Sequence, residues 1–165
     1  MGDSDHSLQI LKLILEDLEK NHNIQPNDAI RLASNSEDPA IPISIFVQEL
    51  TVLEAVTKHL HEHHKLRFVE IAELLARSPR SVWGSYRIAE KRHPAQLPID
   101  PRAIRIPVKK FSHDALSPSQ VLVMILSDEH KIRLPDIAEL LHRDNRTIWT
   151  MYNSGKKRLQ REERK

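Results

Sequence analysis

Hydrophobic positions recur at helical spacing along most of the chain. In HSLQILKLILEDLEKNH (residues 6–22), Leu8, Leu11, Leu15 and Leu18 follow one another at heptad-like steps, with Ile10 and Ile14 beside them. That pattern predicts an amphipathic helix. Val52, Leu53, Val56 and Leu60 share one face of a second predicted helix over about 51–64, and a similar helix is predicted over about 117–130. Shorter helices are predicted over about 69–76 and 135–142. Two more begin at Pro79 and Asn145, behind the cap residues Ser78 and Asp144. Only about three residues separate each short helix from the one after it, the layout of a helix-turn-helix.

These elements come in pairs because the sequence repeats. Shifted by 66, residues 64–92 and 130–158 are identical at 14 of 29 positions without a gap. The shared residues include His64/His130, Arg77/Arg143, Arg80/Arg146, Trp83/Trp149, Tyr86/Tyr152, Lys91/Lys157 and the block IAELL. Upstream, LTVLE (50–54) faces LSPSQ (116–120). Each reads as a capping box, Thr51 with Glu54 and Ser117 with Gln120, and Leu50 and Leu116 stand before them as hydrophobic staples. Pro118 suits a first helical position, where its missing N–H costs nothing. Further up, IPISIF (41–46) echoes IPVKKF (106–111). The expected organisation is an acidic helical segment at 1–40, a first unit at 41–92, a Pro-rich linker at 93–105 and a second unit with a basic tail at 106–165.

The phrase IAELLARSPRSVWGSYRIA is similar to the helix-turn-helix of sigma-factor region 4 and its relatives, which read like EIAEILGISEGTVKSRLSRA. It also resembles prokaryotic sigma-like proteins that carry RTIW in the reading helix. The resemblance covers about 20–45 residues of each unit and nothing of residues 1–40. It implies that Ile71, Ala72, Leu75, Val82 and Tyr86, with their counterparts Ile148 and Tyr152, are core. It also implies that the third helix of each unit meets DNA. Two features depart from the family. Ala76-Arg77 and His142-Arg143 stand where a Gly and a buried apolar residue are usual, and Trp83 and Trp149 stand where the family tends to carry a polar residue facing DNA. There is no recognisable region 2, so the chain does not resemble a complete sigma factor.

Composition narrows the class. Aromatic residues are 4% of the chain and there are three glycines, which argues against a sandwich or barrel and for an all-α fold. With no cysteine there is no disulfide, thiolate nucleophile or Cys-ligated zinc, which fits a reducing cytosol. No apolar run approaches the roughly 20 residues that span a bilayer, and the start MGDSDHS is unlike a secretory signal. The expected location is cytoplasmic, at the nucleoid. The net charge of +2 hides an asymmetry: residues 1–45 carry three basic and eight acidic side chains, residues 46–165 twenty-two basic and fifteen acidic. The repeats therefore carry the positive charge, which suits an anionic partner.

The candidate DNA-binding residues are Arg80, Ser81, Trp83, Gly84, Arg87 and Lys91 in the first unit. In the second they are Arg146, Thr147, Trp149, Thr150, Asn153 and Lys157. Arg80 and Arg146 fall in a first helical turn, where a cation opposes the helix dipole, so an external anion explains them better than the helix does. The bland alternative is a solvated basic surface. For the two tryptophans three readings stand: sealing the third helix against the first helix or the linker, touching DNA sugars or thymine methyls, or forming a patch for a protein partner or the sister unit. HLHEHH (59–64) offers an i, i+4 pair, His59 and His63, but no obvious third ligand, and the second unit carries Ile125 and Glu129 at those places, so no metal is expected. No phosphate loop or supported triad occurs, so neither catalysis nor a cofactor is expected. The expected partner is double-stranded DNA. The alternative is a protein-interaction or self-assembly module that contacts RNA polymerase or its own copies through the Trp faces or the N-terminal helix. That acidic helix could instead pack on its own unit, or lie against the basic faces and compete with DNA.

Overall fold

The structure, a computed structural model, describes residues 3–22, 25–26 and 38–164. It divides into two compact units, residues 1–38 and 39–165.

In the first unit, helix α1 (Asp3–His22) matches the predicted amphipathic segment. Lys20 and His22 sit in its last turn, where cations complement the dipole. Leu8, Ile10, Leu11, Leu13 and Ile14 are exposed, while Leu15 and Leu18 are half-buried.

The second unit is mostly helical with one small sheet. Strand β1 (Ala40–Pro42) leads into a 3-10 turn over Ile43–Ile45. Helices α2 (Val52–Glu62), α3 (Phe68–Leu75) and α4 (Pro79–Arg92) follow. The plan then recurs: strand β2 (Arg105–Pro107), a 3-10 turn over Val108–Phe111, and helices α5 (Pro118–Met124), α6 (Leu134–Leu140) and α7 (Asn145–Glu162). The predicted helix over 117–130 is broken. It is α-helical only to Met124, and Ile125–Glu129 widen into a π-helical turn that ends at His130. The first repeat has no such widening; there His63 follows Glu62 as the last cap.

Both predicted capping boxes form. The Thr51 hydroxyl accepts from the Glu54 N–H at 3.3 Å and the Glu54 carboxylate accepts from the Thr51 N–H at 3.0 Å. Ser117 and Gln120 repeat this at 3.3 and 3.0 Å. Helices α3 and α6 stop in the same way. Ala76 and His142 take left-handed backbones, φ 50° and 52°. The Arg77 N–H then reaches the Ala72 carbonyl at 2.9 Å, and the Arg143 N–H reaches Ala138 at 2.8 Å. This closing pattern usually employs glycine. Lys65 and Lys131 form a second matched left-handed pair, φ 56° and 58°.

Two strands were missing from the all-α expectation. β1 and β2 pair antiparallel, Ala40 with Pro107, Ile41 with Ile106 and Pro42 with Arg105. Two bonds extend the ladder, Ile43 N–H to the Ile104 carbonyl at 2.9 Å and Val108 N–H to the Pro39 carbonyl at 2.8 Å. Helix α2 also touches α5, and the turn over Val108–Phe111 packs on α3 of the other repeat. One continuous core results. Ile41, Ile45, Leu60, Ile71 and Val82 from the first repeat join Ile106, Val108, Phe111, Leu126, Ile137 and Ile148 from the second. The Pro-rich segment contributes as well: Leu97 is buried in the core, and the Asp100 N–H donates to Ser44 Oγ at 2.9 Å. Among the described residues no helix is long and apolar enough to cross a membrane.

Candidate nucleic-acid interface

Helices α4 and α7 are each held on two sides. α4 packs on α2 and α3, and α7 packs on α5 and α6. Val82 and Ile148 are the fully buried contacts of their first turns, as expected of core residues. Tyr86 and Tyr152 are only half-buried because their hydroxyls must reach an acceptor. Tyr86 donates to Glu62 at 3.3 Å, and Tyr152 donates to Asp128, the same position in the second repeat, at 2.8 Å. Burial and the Glu62 charge push the Tyr86 hydroxyl above its ordinary range. Burial alone would raise Asp128, but hydrogen bonds from Lys156 and Tyr152 hold its carboxyl below the usual value. Each helix is thus pinned to the base of its repeat by a tyrosine–carboxylate bond.

The opposite faces of α4 and α7 are open. The Ser78 hydroxyl accepts from the Ser81 N–H at 3.2 Å, and Asp144 accepts from the Arg146 N–H at 2.6 Å, so both helices begin where predicted. Arg80, Ser81, Trp83, Arg87 and Lys91 are exposed on α4; Arg146, Thr147, Trp149, Thr150 and Lys157 are exposed on α7. Arg80, Lys91, Arg146 and Lys157 have no acidic partner among the described residues. By contrast Arg92 is spent on Glu54 at 3.3 Å, and Lys156 on Asp128. Gly84 lies between Arg80 and Arg87, and a Cβ built there meets nothing within 4 Å.

The sealing role considered for the tryptophans is overturned. Trp83 is 48% exposed and Trp149 60%. The small residues of α4 and α7, not the indoles, make their close contacts: Ala89 is fully buried, and its counterpart Gly155 would place a Cβ 2.6 Å from Met124 Sδ. Trp149 instead lines an open surface cavity with Leu134, Pro135, Asn145 and Arg146. Trp83 carries the Arg87 guanidinium 5.1 Å from its ring centroid.

The two faces are not chemically equal. In α7 the candidate readers turn back on their own helix: Thr150 Oγ1 donates to the Arg146 carbonyl at 2.8 Å, and Asn153 Nδ2 donates to the Trp149 carbonyl at 2.9 Å. In α4 the same places hold Gly84 and Arg87, whose guanidinium lies over the exposed Trp83 ring. Thr147 also differs from the outward-facing set, since it lines a cavity of about 210 Å³ between the repeats with Leu50, Leu141 and Arg143.

Arg143 is the residue that sequence reasoning passed over. In the sequence it stands out as a residue shared with Arg77 and as a departure from the sigma-like turn. Its Nη2 donates to the Leu50 carbonyl at 2.8 Å, tying the α6–α7 turn to the first repeat. The only signal was its identity with Arg77, which gives no hint of a contact across repeats.

The histidine cluster of α2 lies away from this face. His59 is buried, its Nε2 has no hydrogen-bond partner among the described residues, and its ring stacks on His63 at 4.9 Å with His64 at 5.1 Å. No group of three or more possible ligands suited to a metal ion occurs among the described residues.

No protein-family model matches the chain, and neither a curated protein nor a solved structure is found to be similar to it.

Proposed function

We propose that the chain is a tandem helix-turn-helix protein of the sigma region 4-like kind that binds double-stranded DNA. In this reading α3–α4 and α6–α7 are the two motifs, α4 and α7 are the reading helices, and the protein works by binding rather than catalysis. One observation carries the reading. Arg80 and Arg146 stand exposed and without an acidic partner among the described residues, in the first turn of helices whose dipoles disfavour them, and Lys91 and Lys157 continue the same faces. Phosphates supply the missing anion, and a helix of this kind fits the major groove. A role in transcription regulation or nucleoid organisation in the cytoplasm follows from duplex binding.

A gel-retardation titration on random duplex tests it. Affinity should fall steeply from about 50 to 200 mM salt, with a log–log slope near −0.9 per phosphate neutralised. Arg80→Ala and Arg146→Ala should each lower that slope by about one contact. Absence of retardation of any duplex at low salt would sink the reading.

The exposed indoles favour a second reading, a protein-interaction module for RNA polymerase or for another copy of the chain. Aromatic residues beside arginine are typical interface anchors. Trp83→Ala and Trp149→Ala should then abolish the association while leaving salt-dependent duplex binding nearly intact.

A further inference from the structure

Two copies of a motif in tandem suggest a translation along the chain and hence a direct repeat in the target. The contacts between the repeats point elsewhere. Ile41 pairs with Ile106, and these are the same position in the two repeats. On either side, Ala40 pairs with the counterpart of Pro42, and Pro42 with the counterpart of Ala40. The Ile43-to-Ile104 bond and the Val108-to-Pro39 bond are likewise exchanged mates. Helix α2 meets α5, again like against like. These strand and helix contacts are self-complementary, whereas the packing of the Val108–Phe111 turn on α3 and the Arg143–Leu50 bond are one-sided, so the symmetry is approximate. A head-to-tail arrangement would bring unlike surfaces together, whereas self-complementary contact is the mark of a twofold axis. Here the axis runs inside one chain, through the Ile41–Ile106 pair.

We infer that this internal twofold presents α4 and α7 to two inverted half-sites on one duplex, so that a single chain reads an imperfect palindrome. The inference rests on the DNA-binding reading above. Duplex DNA has its own dyads perpendicular to the helix axis. A protein dyad aligned with one of them sets equivalent helices on half-sites of opposite direction. The target is imperfect because the two faces differ. Arg80, Trp83 and Lys91 have identical counterparts in Arg146, Trp149 and Lys157, so the parts of each half-site they meet match. Arg87 and Gly84 face Asn153 and Thr150, and there the half-sites diverge. A guanidinium donates to guanine O6 and N7, while the Asn153 amide, with one of its two N–H groups engaged by the Trp149 carbonyl, keeps one donor and one acceptor, the pair that suits adenine.

The test uses the full chain and duplexes selected from a random pool. The selected sites should be imperfect inverted repeats bound by one chain each, as judged by sizing of the complex. Reversing one half-site, to give a direct repeat, should weaken binding at least about 10-fold, because the second repeat no longer engages. The double variant Gly84→Thr with Arg87→Asn, which gives α4 the reading residues of α7, should shift selection toward a more symmetric palindrome. A merely structural role for those residues would not move base preference. The inference is overturned by selected direct repeats, by indifference to half-site reversal, or by two chains on each inverted repeat. Failure to retard any duplex removes the DNA reading as well, so the two failures are distinguishable.

Discussion

Ile41 pairs with Ile106, its own counterpart in the repeat, and both side chains are fully buried in one core. The repeats are therefore partners in a single packed body. Truncating either isoleucine empties the centre of the seam. Ile41→Ala and Ile106→Ala should each cost about 2–5 kcal/mol. Chemical denaturation followed by circular dichroism should show one transition for residues 39–165 in the parent and in both variants. Two separate transitions, one for each repeat, would show that the seam does not couple them.

Ala76 and His142 close α3 and α6 in left-handed conformations that side chains disfavour. Glycine adopts this backbone without steric penalty, although it loses more entropy on folding. The net effect of Ala76→Gly, and separately of His142→Gly, should be stabilising by roughly 0.5–1 kcal/mol. Thermal unfolding would register this as a rise of a few degrees. A fall in stability would mean that the native side chains contribute contacts larger than the strain.

Much of this architecture could be read directly from the residues. Capping boxes at Thr51 and Ser117, and caps at Ser78 and Asp144, are local chemistry, and so the helix starts fell where expected. The buried Ile71, Leu75, Val82 and Ile148 stand at the core places that the sigma-like resemblance implied. What escaped was long-range. Three-residue strands such as Ala40–Pro42 carry too little alternation to announce a sheet, and proline within them argues against one. The Arg143–Leu50 bond spans 93 residues. The π turn after Met124 has no composition signal. The indoles stood among the candidate DNA contacts with a sealing role left open, because apolar size suggests burial while their register on α4 and α7 points them outward. The candidate basic residues were legible as a set, but not the self-bonding of Thr150 and Asn153.

His59 makes the body acid-sensitive. Burial, then the neighbouring His64, His63 and Arg105 charges, lower it from 6.5 to about 3, and burial with His63 and Arg105 lowers His64 too. The unfolded chain binds these protons more readily than the folded one. Stability is therefore complete above pH 6.5 and is lost as pH falls toward 3, by up to about 1.4 kcal/mol per pH unit for His59. His59→Ile, which copies the buried Ile125 of the second repeat, should flatten this dependence and unfold at higher temperature than the parent at pH 5. Equal loss of melting temperature in parent and variant between pH 7 and pH 5 would assign the acid sensitivity to other groups.

Gly84 and Gly155 occupy α4 and α7 but should respond oppositely to the same change. A Cβ at Gly155 falls 2.6 Å from Met124 Sδ, the far end of a flexible but buried side chain, so Gly155→Ala makes the methionine re-orient. The cost should be about 1 kcal/mol, the low end for overpacking. A Cβ at Gly84 meets open space, and alanine is the better helix former. Gly84→Ala should stabilise by about 0.5–1 kcal/mol. Gly84→Glu uses the same space to place a carboxylate between Arg80 and Arg87, one turn from each. In an exposed helix that pairing leaves the fold intact, since glutamate is also a better helix former than glycine. If α4 meets phosphates and base edges, the new charge repels the duplex and neutralises its two nearest cations. Melting temperature should hold or rise while duplex affinity at low salt drops more than about 10-fold, as for the loss of one to two phosphate contacts. Unchanged affinity with unchanged melting temperature would move the duplex off this face of α4.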